Sequence, residues 1–194
     1  MNNIEKFVST MVEREIVKKD DKEIIIYGIN TGVEIIINIV TTIILGSVFR
    51  LIFESIMFLI SFSAIRIYAG GYHAKTALRC YFMSSATIAV ILSIVKFTPI
   101  EYIVSISIIL LLLSTATIIR YAPVETSNKP LDEKEQKHYH RKTIQNMVIE
   151  YCIILILFIV QQYRWAYVII LGIAITAILV IVQIKIKLRG ESNG

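Results

Sequence analysis

Residues 101–120 read EYIVSISIILLLLSTATIIR, an apolar run with its only charges at the two ends. A helix needs about 20 such residues to cross the hydrocarbon core of a bilayer. This stretch predicts a transmembrane helix, and the sequence on either side of it contains further apolar stretches.

Five further stretches have similar character, and they alternate with polar connections. The six predicted spans cover residues 28–46, 51–68, 81–98, 101–120, 148–163 and 165–183. The 194 residues are 56% hydrophobic and only 18% charged, which argues against a soluble domain. The predicted fold is an all-α membrane protein, with one domain over residues 1–194 and a six-helix bundle over 28–183.

The segment before the first span has an amphipathic pattern. Ile4, Phe7, Val8, Met11 and Val12 recur at helical spacing, with charges on the other face. We expect residues 1–23 to form an interfacial helix on the membrane surface. A helix packed on the protein's own loops fits the pattern equally well.

Basic residues are distributed unevenly between the connections. Residues 1–27, 66–80, 120–147 and 184–194 contain 17 of the 20 Lys and Arg residues. The positive-inside rule then places both termini and the two long loops on the cytoplasmic side of the membrane. Because the basic residues lie between apolar runs, a nucleic-acid partner is not expected.

The first long loop, residues 66–80, reads RIYAGGYHAKTALRC and contains His73 and Cys80. A thiolate is the nucleophile in cysteine chemistry, and a histidine can take the thiol proton. Lys75 and Arg79 would stabilise that negative charge. A His and a Cys seven residues apart are by themselves weak evidence for a catalytic pair. The alternative is that the two residues are structural or occur together by chance.

The spacing of the pair constrains the backbone. On one straight helix, His73 and Cys80 would be separated by about 10 Å along the axis. A base must come within about 3 Å of the proton it removes. We therefore expect residues 69–74 to be non-helical, with a hinge at Gly70 and Gly71, and a helix to begin near Lys75 or Thr76. A pair assembled from two protomers is the alternative.

The motif in residues 66–80 resembles the signature of the accessory gene regulator B (AgrB) family, bacterial membrane endopeptidases that process a quorum-sensing propeptide. The length, the six spans and the second loop, which reads YAPV at 121–124 and NKPL at 128–131, also resemble the family. The resemblance implies that His73 is the catalytic histidine and Cys80 the nucleophile. Arg66, Gly70 and Gly71 match further positions of the motif.

The resemblance also implies a reaction and its partners. Cys80 would cleave the C-terminal tail of an AgrD-like propeptide through a thioester, and an internal Cys or Ser would close a thiolactone or lactone ring. No cofactor or metal is expected. Partly from the resemblance, we expect a homodimer in contact with membrane lipid.

Several other residues have candidate roles. Glu34 lies in the first span, where an ionisable side chain is energetically costly and often functional. Its alternative role is structural: the side chain would reach toward the membrane surface or form an ion pair with Lys22 or Arg66. The second loop is basic, which suits anionic lipid or an acidic propeptide segment, and it includes Lys129 as a substrate-binding candidate. Cys152 is predicted to be an inert core residue.

Two signals concern the helix after the second loop. Asp132 and Glu135 have the spacing of a capping box, so a helix is expected to start there and to run into the fifth span. His138 and His140 are two residues apart and would point to opposite sides of that helix, which argues against a metal site.

Two alternative functions compete with the peptidase. A small peptide exporter would need no nucleophile, but the paired broken helices typical of transporters are not evident. A membrane scaffold leaves the His and Cys residues unexplained.

Overall fold

The computed structural model describes residues 3–72, 76–125 and 131–191. Its helices are α1 (Asn3–Glu13), α2 (Lys22–Phe49), α3 (Ile52–Ala69), α4 (Ala77–Phe97), α5 (Ile100–Tyr121), α6 (Glu133–Ile159) and α7 (Tyr163–Glu191). A short 3-10 turn, Lys19–Asp21, precedes α2. Six of these helices, α2 to α7, are long and apolar enough to cross a membrane, so the chain is an all-α, multi-pass membrane protein.

Helix α7 is the central element of the bundle. The apolar window of α7 is 61% buried within the protein, whereas the windows of the other five spans are 11–28% buried. It packs against α3, α4, α5 and α6. Small residues permit the close approach of α3, because a Cβ added at Gly172 would lie 2.7 Å from Ser61 Oγ.

The predicted spans are confirmed in number, but several boundaries move. Helix α2 begins at Lys22 rather than near residue 28, and α7 continues to Glu191. A helix can extend beyond the hydrocarbon layer because its backbone hydrogen bonds do not depend on side-chain polarity. The helices also extend into the predicted long loops 66–80 and 120–147, because α3 ends at Ala69, α4 begins at Ala77, α5 ends at Tyr121 and α6 begins at Glu133.

The N-terminal segment is not one continuous helix over residues 1–23. Helix α1 ends at Glu13, and Glu15 adopts a φ of +58°, which an α-helix cannot accommodate. Val8 is fully buried where α1 packs against α2, while Phe7 is 61% exposed. The helix therefore contacts the protein's own first span and still presents an apolar side chain outward.

The start of α6 agrees with the sequence. The Asp132 side chain accepts a hydrogen bond from the Glu135 backbone N–H at 2.6 Å, and the Glu135 side chain accepts one from the Asp132 backbone N–H at 3.3 Å. This capping box satisfies two backbone donors that the first turn of a helix would otherwise leave free. It sets the point where the second loop ends.

Candidate active site

The chain leaves α3 through the two consecutive glycines that the sequence indicated as a hinge. Gly70 has φ +72° and ψ −149°, and Gly71 has φ +119°. A residue with a side chain rarely adopts either conformation. A Cβ at Gly70 would lie 2.5 Å from the Val124 carbonyl oxygen, and one at Gly71 would lie 3.3 Å from the Leu179 backbone. Both positions therefore require glycine.

Backbone hydrogen bonds hold this hinge between the second loop and α7. The Val124 N–H donates to Ala69 O at 3.0 Å, beside a bridge pairing of Gly70 with Val124. The Tyr72 N–H donates to Leu179 O at 3.1 Å. The three residues after Ala69 are thus fixed from two sides. The expected non-helical segment is confirmed for Gly70, Gly71 and Tyr72, whereas Ala69 is still the last residue of α3.

Arg66 links the hinge to the start of α4. Its Nη2 donates to the Tyr72 carbonyl oxygen at 2.5 Å, and its guanidinium lies 5.3 Å from the centre of the Phe62 ring. The guanidinium is also within electrostatic range of the Cys80 sulfur. The Nη1 nitrogen is buried and has no hydrogen-bond partner in the described parts of the chain.

Cys80 lies in the first turn of α4. Thr76 is the N-cap, and its hydroxyl oxygen accepts a long hydrogen bond of 3.4 Å from the Arg79 N–H. The helix begins at Ala77, close to the expected start at Lys75 or Thr76. Cys80 is a free, partly buried thiol. The N-terminal end of a helix stabilises negative charge, as does a nearby guanidinium.

The structure brings together four of the residues that the sequence singled out, which are Arg66, Gly70, Gly71 and Cys80. His73, Lys75 and Lys129 lie outside the described residues. Arg79 is exposed on the first turn of α4.

Glu34 does not form the ion pairs considered for it. Within the described residues, the single ion pair within 4 Å joins Lys187 to Glu125, so neither Lys22 nor Arg66 pairs with Glu34. Glu34 is partly buried in α2, and its carbonyl oxygen accepts from Asn38 Nδ2 in the next turn.

A basic groove lies next to the hinge. It has a volume of about 400 Å³, and its lining includes Arg120, Lys137 and Arg141 together with residues 121–123. His140 lies within hydrogen-bonding distance of Ala122 O, 2.8 Å from Nδ1, so α6 is joined to the loop that contacts Gly70. Anionic groups would be attracted here. No cluster of three metal-binding side chains occurs in the described ranges.

Sequence reasoning missed the residues that fix the hinge through their backbone. Tyr72, Val124 and Leu179 act through carbonyl and N–H groups, which every residue has, so side-chain chemistry gave no signal for Leu179. Val124 belongs to the YAPV segment at residues 121–124, which the sequence singled out only through its resemblance to a known family. Glu150 was also missed, although the rule for intramembrane acids that selected Glu34 applies to it equally.

The expectation for Cys152 was wrong in part. Its side chain is exposed on the surface of α6 rather than in the core. A lipid-facing position accepts a small apolar residue as readily as the core does, so the sequence pattern could not separate the two.

Six spans, and a thiol within electrostatic range of a guanidinium at one end of the bundle, define a multi-pass membrane protein with a candidate cysteine site. The family model described as "Accessory gene regulator B" matches residues 4–182. The chain belongs to this family.

Two relatives occur in Clostridium perfringens. One, named "Putative AgrB-like protein", from strain SM101 / Type A, is 29% identical over 185 residues, covering 92% of this chain and 86% of its own length. The other, named "Putative AgrB-like protein 2", from strain 13 / Type A, is 29% identical over 170 residues, covering 84% of this chain and 79% of its own length. No solved structure matches the chain significantly. Family membership supports a role in processing a quorum-sensing propeptide, with an AgrD-like propeptide as the implied substrate.

Proposed function

We propose that the protein is a membrane cysteine endopeptidase that cleaves and cyclises an AgrD-like propeptide, with Cys80 as nucleophile and His73 as general base. The observation that carries the proposal is the position of Arg66. It interacts electrostatically with Cys80 and holds the Tyr72 carbonyl, which belongs to the peptide group leading to residue 73. One side chain thus connects the nucleophile to the segment that bears the proposed base.

The proposed reaction proceeds in two acyl transfers. His73 takes the thiol proton, and Cys80 Sγ attacks the carbonyl carbon at the scissile bond. The C–N bond breaks, the proton passes to the leaving amine, and the tail departs with a new N-terminus. A Cys or Ser side chain of the bound peptide then attacks the thioester, which closes the ring and restores the Cys80 thiol. Exclusion of water favours this internal nucleophile over hydrolysis.

Cys80→Ala should abolish cleavage, and no acyl-enzyme should form. His73→Ala keeps the thiol but loses its base, so cleavage should fall by about 10²–10⁴-fold. Cys152→Ala is the matched control and should cleave normally, because Cys152 is exposed on α6. The measurement is propeptide cleavage in proteoliposomes, with the thioester trapped by hydroxylamine. Normal processing by Cys80→Ala would exclude the nucleophile and favour a peptide exporter.

The same two variants test whether each active site of the expected homodimer is built within one protomer. Co-reconstituted His73→Ala and Cys80→Ala protomers should remain inactive if each site is built within one protomer. Recovered cleavage would instead show that His73 and Cys80 meet across a dimer interface.

We further propose that the basic groove binds an acidic segment of the propeptide. Its support is the concentration of Arg120, Lys137 and Arg141 beside the loop that contacts the hinge. Anionic lipid headgroups are the alternative occupant of the groove. The two occupants can be distinguished by whether the effect of groove mutations depends on the charge of the propeptide.

Lys137→Glu combined with Arg141→Glu should raise KM for an acidic propeptide roughly 5- to 10-fold and leave kcat nearly unchanged, since surface ion pairs contribute about 0.2–1 kcal/mol each. Higher salt should reduce the difference. Lys134→Glu, outside the groove, is the control. An equal rise in KM for a propeptide with neutralised acids would contradict recognition of the acidic segment.

A further inference from the structure

A pocket unrelated to Cys80 lies between α3, α6 and α7. Its volume is about 290 Å³, close to the lower limit of roughly 300 Å³ for small-molecule sites. Ile60, Ile149 and Ile153 line its outer side and are 64%, 57% and 42% exposed. Since α3 and α6 are membrane spans, this exposed side faces the bilayer rather than water.

An acid lies at the bottom of this apolar pocket. Glu150 is only 5% exposed, and its position nine residues before the end of α6 places it about 14 Å from that end. Half of a hydrocarbon core is about 15 Å, so Glu150 lies close to the bilayer midplane. Its Oε1 is buried and has no hydrogen-bond partner among the residues that the structure describes.

The hydrogen bonds around Ser61 indicate the protonation state of this acid. Ser61 Oγ lies 2.9 Å from Glu150 Oε2 and 3.2 Å from Ile169 O, and its single proton cannot serve both acceptors fully. If Glu150 is protonated, it donates from Oε2 to Ser61, and Ser61 donates onward to Ile169. Every proton then has an acceptor, and Oε1 remains as a neutral carbonyl oxygen.

No other polar residue of the pocket supplies the missing donor. Asn146, the one remaining polar side chain in the lining, donates from Nδ2 to Ala64 O at 2.5 Å. Water is scarce at this depth of a bilayer, so a buried acceptor there is satisfied by a protein or ligand donor.

We propose that this pocket is a ligand site, reached from the bilayer, for an apolar molecule bearing an N–H or O–H group. Glu150 is the anchor, and its Oε1 accepts the hydrogen bond. The apolar lining binds the body of the ligand, and the exposed isoleucines form the entrance. The site is separate from the proposed peptidase chemistry.

The hydrophobic reagent N,N′-dicyclohexylcarbodiimide probes this arrangement, because it reacts with protonated carboxyls. The acid proton moves to one carbodiimide nitrogen, and the carboxylate oxygen bonds to the central carbon. The acyl group then migrates to nitrogen, giving an N-acylurea. No atom leaves, so peptide mapping by mass spectrometry should find Glu150 heavier by one whole reagent molecule.

The donor requirement is tested by protection in the wild-type protein. N,N′-dicyclohexylurea has a similar shape and two N–H groups, and it should slow labelling of Glu150 roughly tenfold, as one satisfied hydrogen bond would. Dicyclohexylmethane, which has no donor, should protect far less. Glu150→Gln should remove the label, while Glu54→Gln should keep it.

Three results would overturn the proposal. One is absence of the label at Glu150 in the wild-type protein, and another is equal protection by the urea and the hydrocarbon. The third is equally rapid labelling by a water-soluble carbodiimide, which would mean that the carboxyl is open to water. The labelling and protection measurements use the wild-type protein, so they remain decisive even if Glu150→Gln fails to fold.

Discussion

Arg66 illustrates how a single side chain can position a site. A guanidinium has donors in a fixed planar arrangement and stays charged, so it can serve two acceptors in different directions. Here one nitrogen donates to Tyr72 O, and the group as a whole lies near Cys80. The guanidinium also lies over the Phe62 ring, 5.3 Å from its centre. A lysine ammonium could supply the charge but not this geometry.

Arg66→Gln should therefore slow both alkylation of Cys80 by iodoacetamide and propeptide cleavage. For cleavage, loss of the charge-assisted hydrogen bond to Tyr72 O, at about 1.5–3 kcal/mol, corresponds to roughly 10- to 150-fold in rate. Arg66→Lys should retain faster alkylation than Arg66→Gln and yet cleave poorly, since it keeps the charge without the planar donor arrangement. Rates are measured in a Cys152→Ala background.

Arg164→Gln is the matched control, because Arg164 is exposed at the other end of the bundle. It should alkylate and cleave like the parent protein. If Arg66→Gln and Arg66→Lys were alkylated and cleaved the propeptide as fast as Arg164→Gln, Arg66 would have no role in the site.

At the scale of elements, the junction between α3 and α4 is set by backbone contacts. Helix α3 stops because Gly70 leaves helical geometry, and the loop after α5 packs so closely that no Cβ fits. Helix α7 contributes Leu179 O, which accepts from the Tyr72 N–H. The site therefore depends on three elements that are distant in sequence.

Gly70→Ala should destabilise the protein and reduce cleavage. The φ and ψ of Gly70 lie in a region that is essentially restricted to glycine and costs about 1–3 kcal/mol for other residues, and the new Cβ would collide with Val124 O. The measurement is thermal unfolding in detergent, paired with cleavage in proteoliposomes.

Gly28→Ala provides the comparison within the same chain. A Cβ at Gly28 meets no atom within 4 Å, so this variant should unfold and cleave like the wild type. Similar behaviour of the two alanine variants would contradict the close packing at Gly70.

For the whole molecule, the arrangement of spans places the candidate site at one end of the bundle. The hinge, the basic groove and the start of α4 all lie at the end of the bundle where α3 and α5 have their C-termini and α4 and α6 begin. Most of the basic residues lie on this side, and the turn at residues 160–162 lies on the other. We propose that the site end faces the cytoplasm, following the positive-inside rule.

Substituted-cysteine labelling tests this orientation. In a Cys80→Ala, Cys152→Ala background, Pro130→Cys should react with an impermeant maleimide only after the cells are permeabilised. Gln162→Cys, in the turn between α6 and α7, should react in intact cells. The reverse pattern would invert the topology.

The sequence by itself determined the class of the protein and the residues to examine. Six apolar runs are visible because a bilayer imposes a length and a composition on each span. The helix start at Asp132 was predictable because a cap depends on neighbouring residues. Gly70 and Gly71 could be identified as a hinge because the His73 and Cys80 spacing is incompatible with one straight helix.

Only the tertiary structure decided which elements meet at that hinge. The contacts of Val124 and Leu179 are made by backbone atoms, and those atoms carry no sequence pattern. The central position of α7 was equally hidden, because lipid and protein interior select similar side chains for the spans. The polarity of Glu150 was visible in the sequence, but its hydrogen bond to Ser61 depends on how α3 and α6 pack.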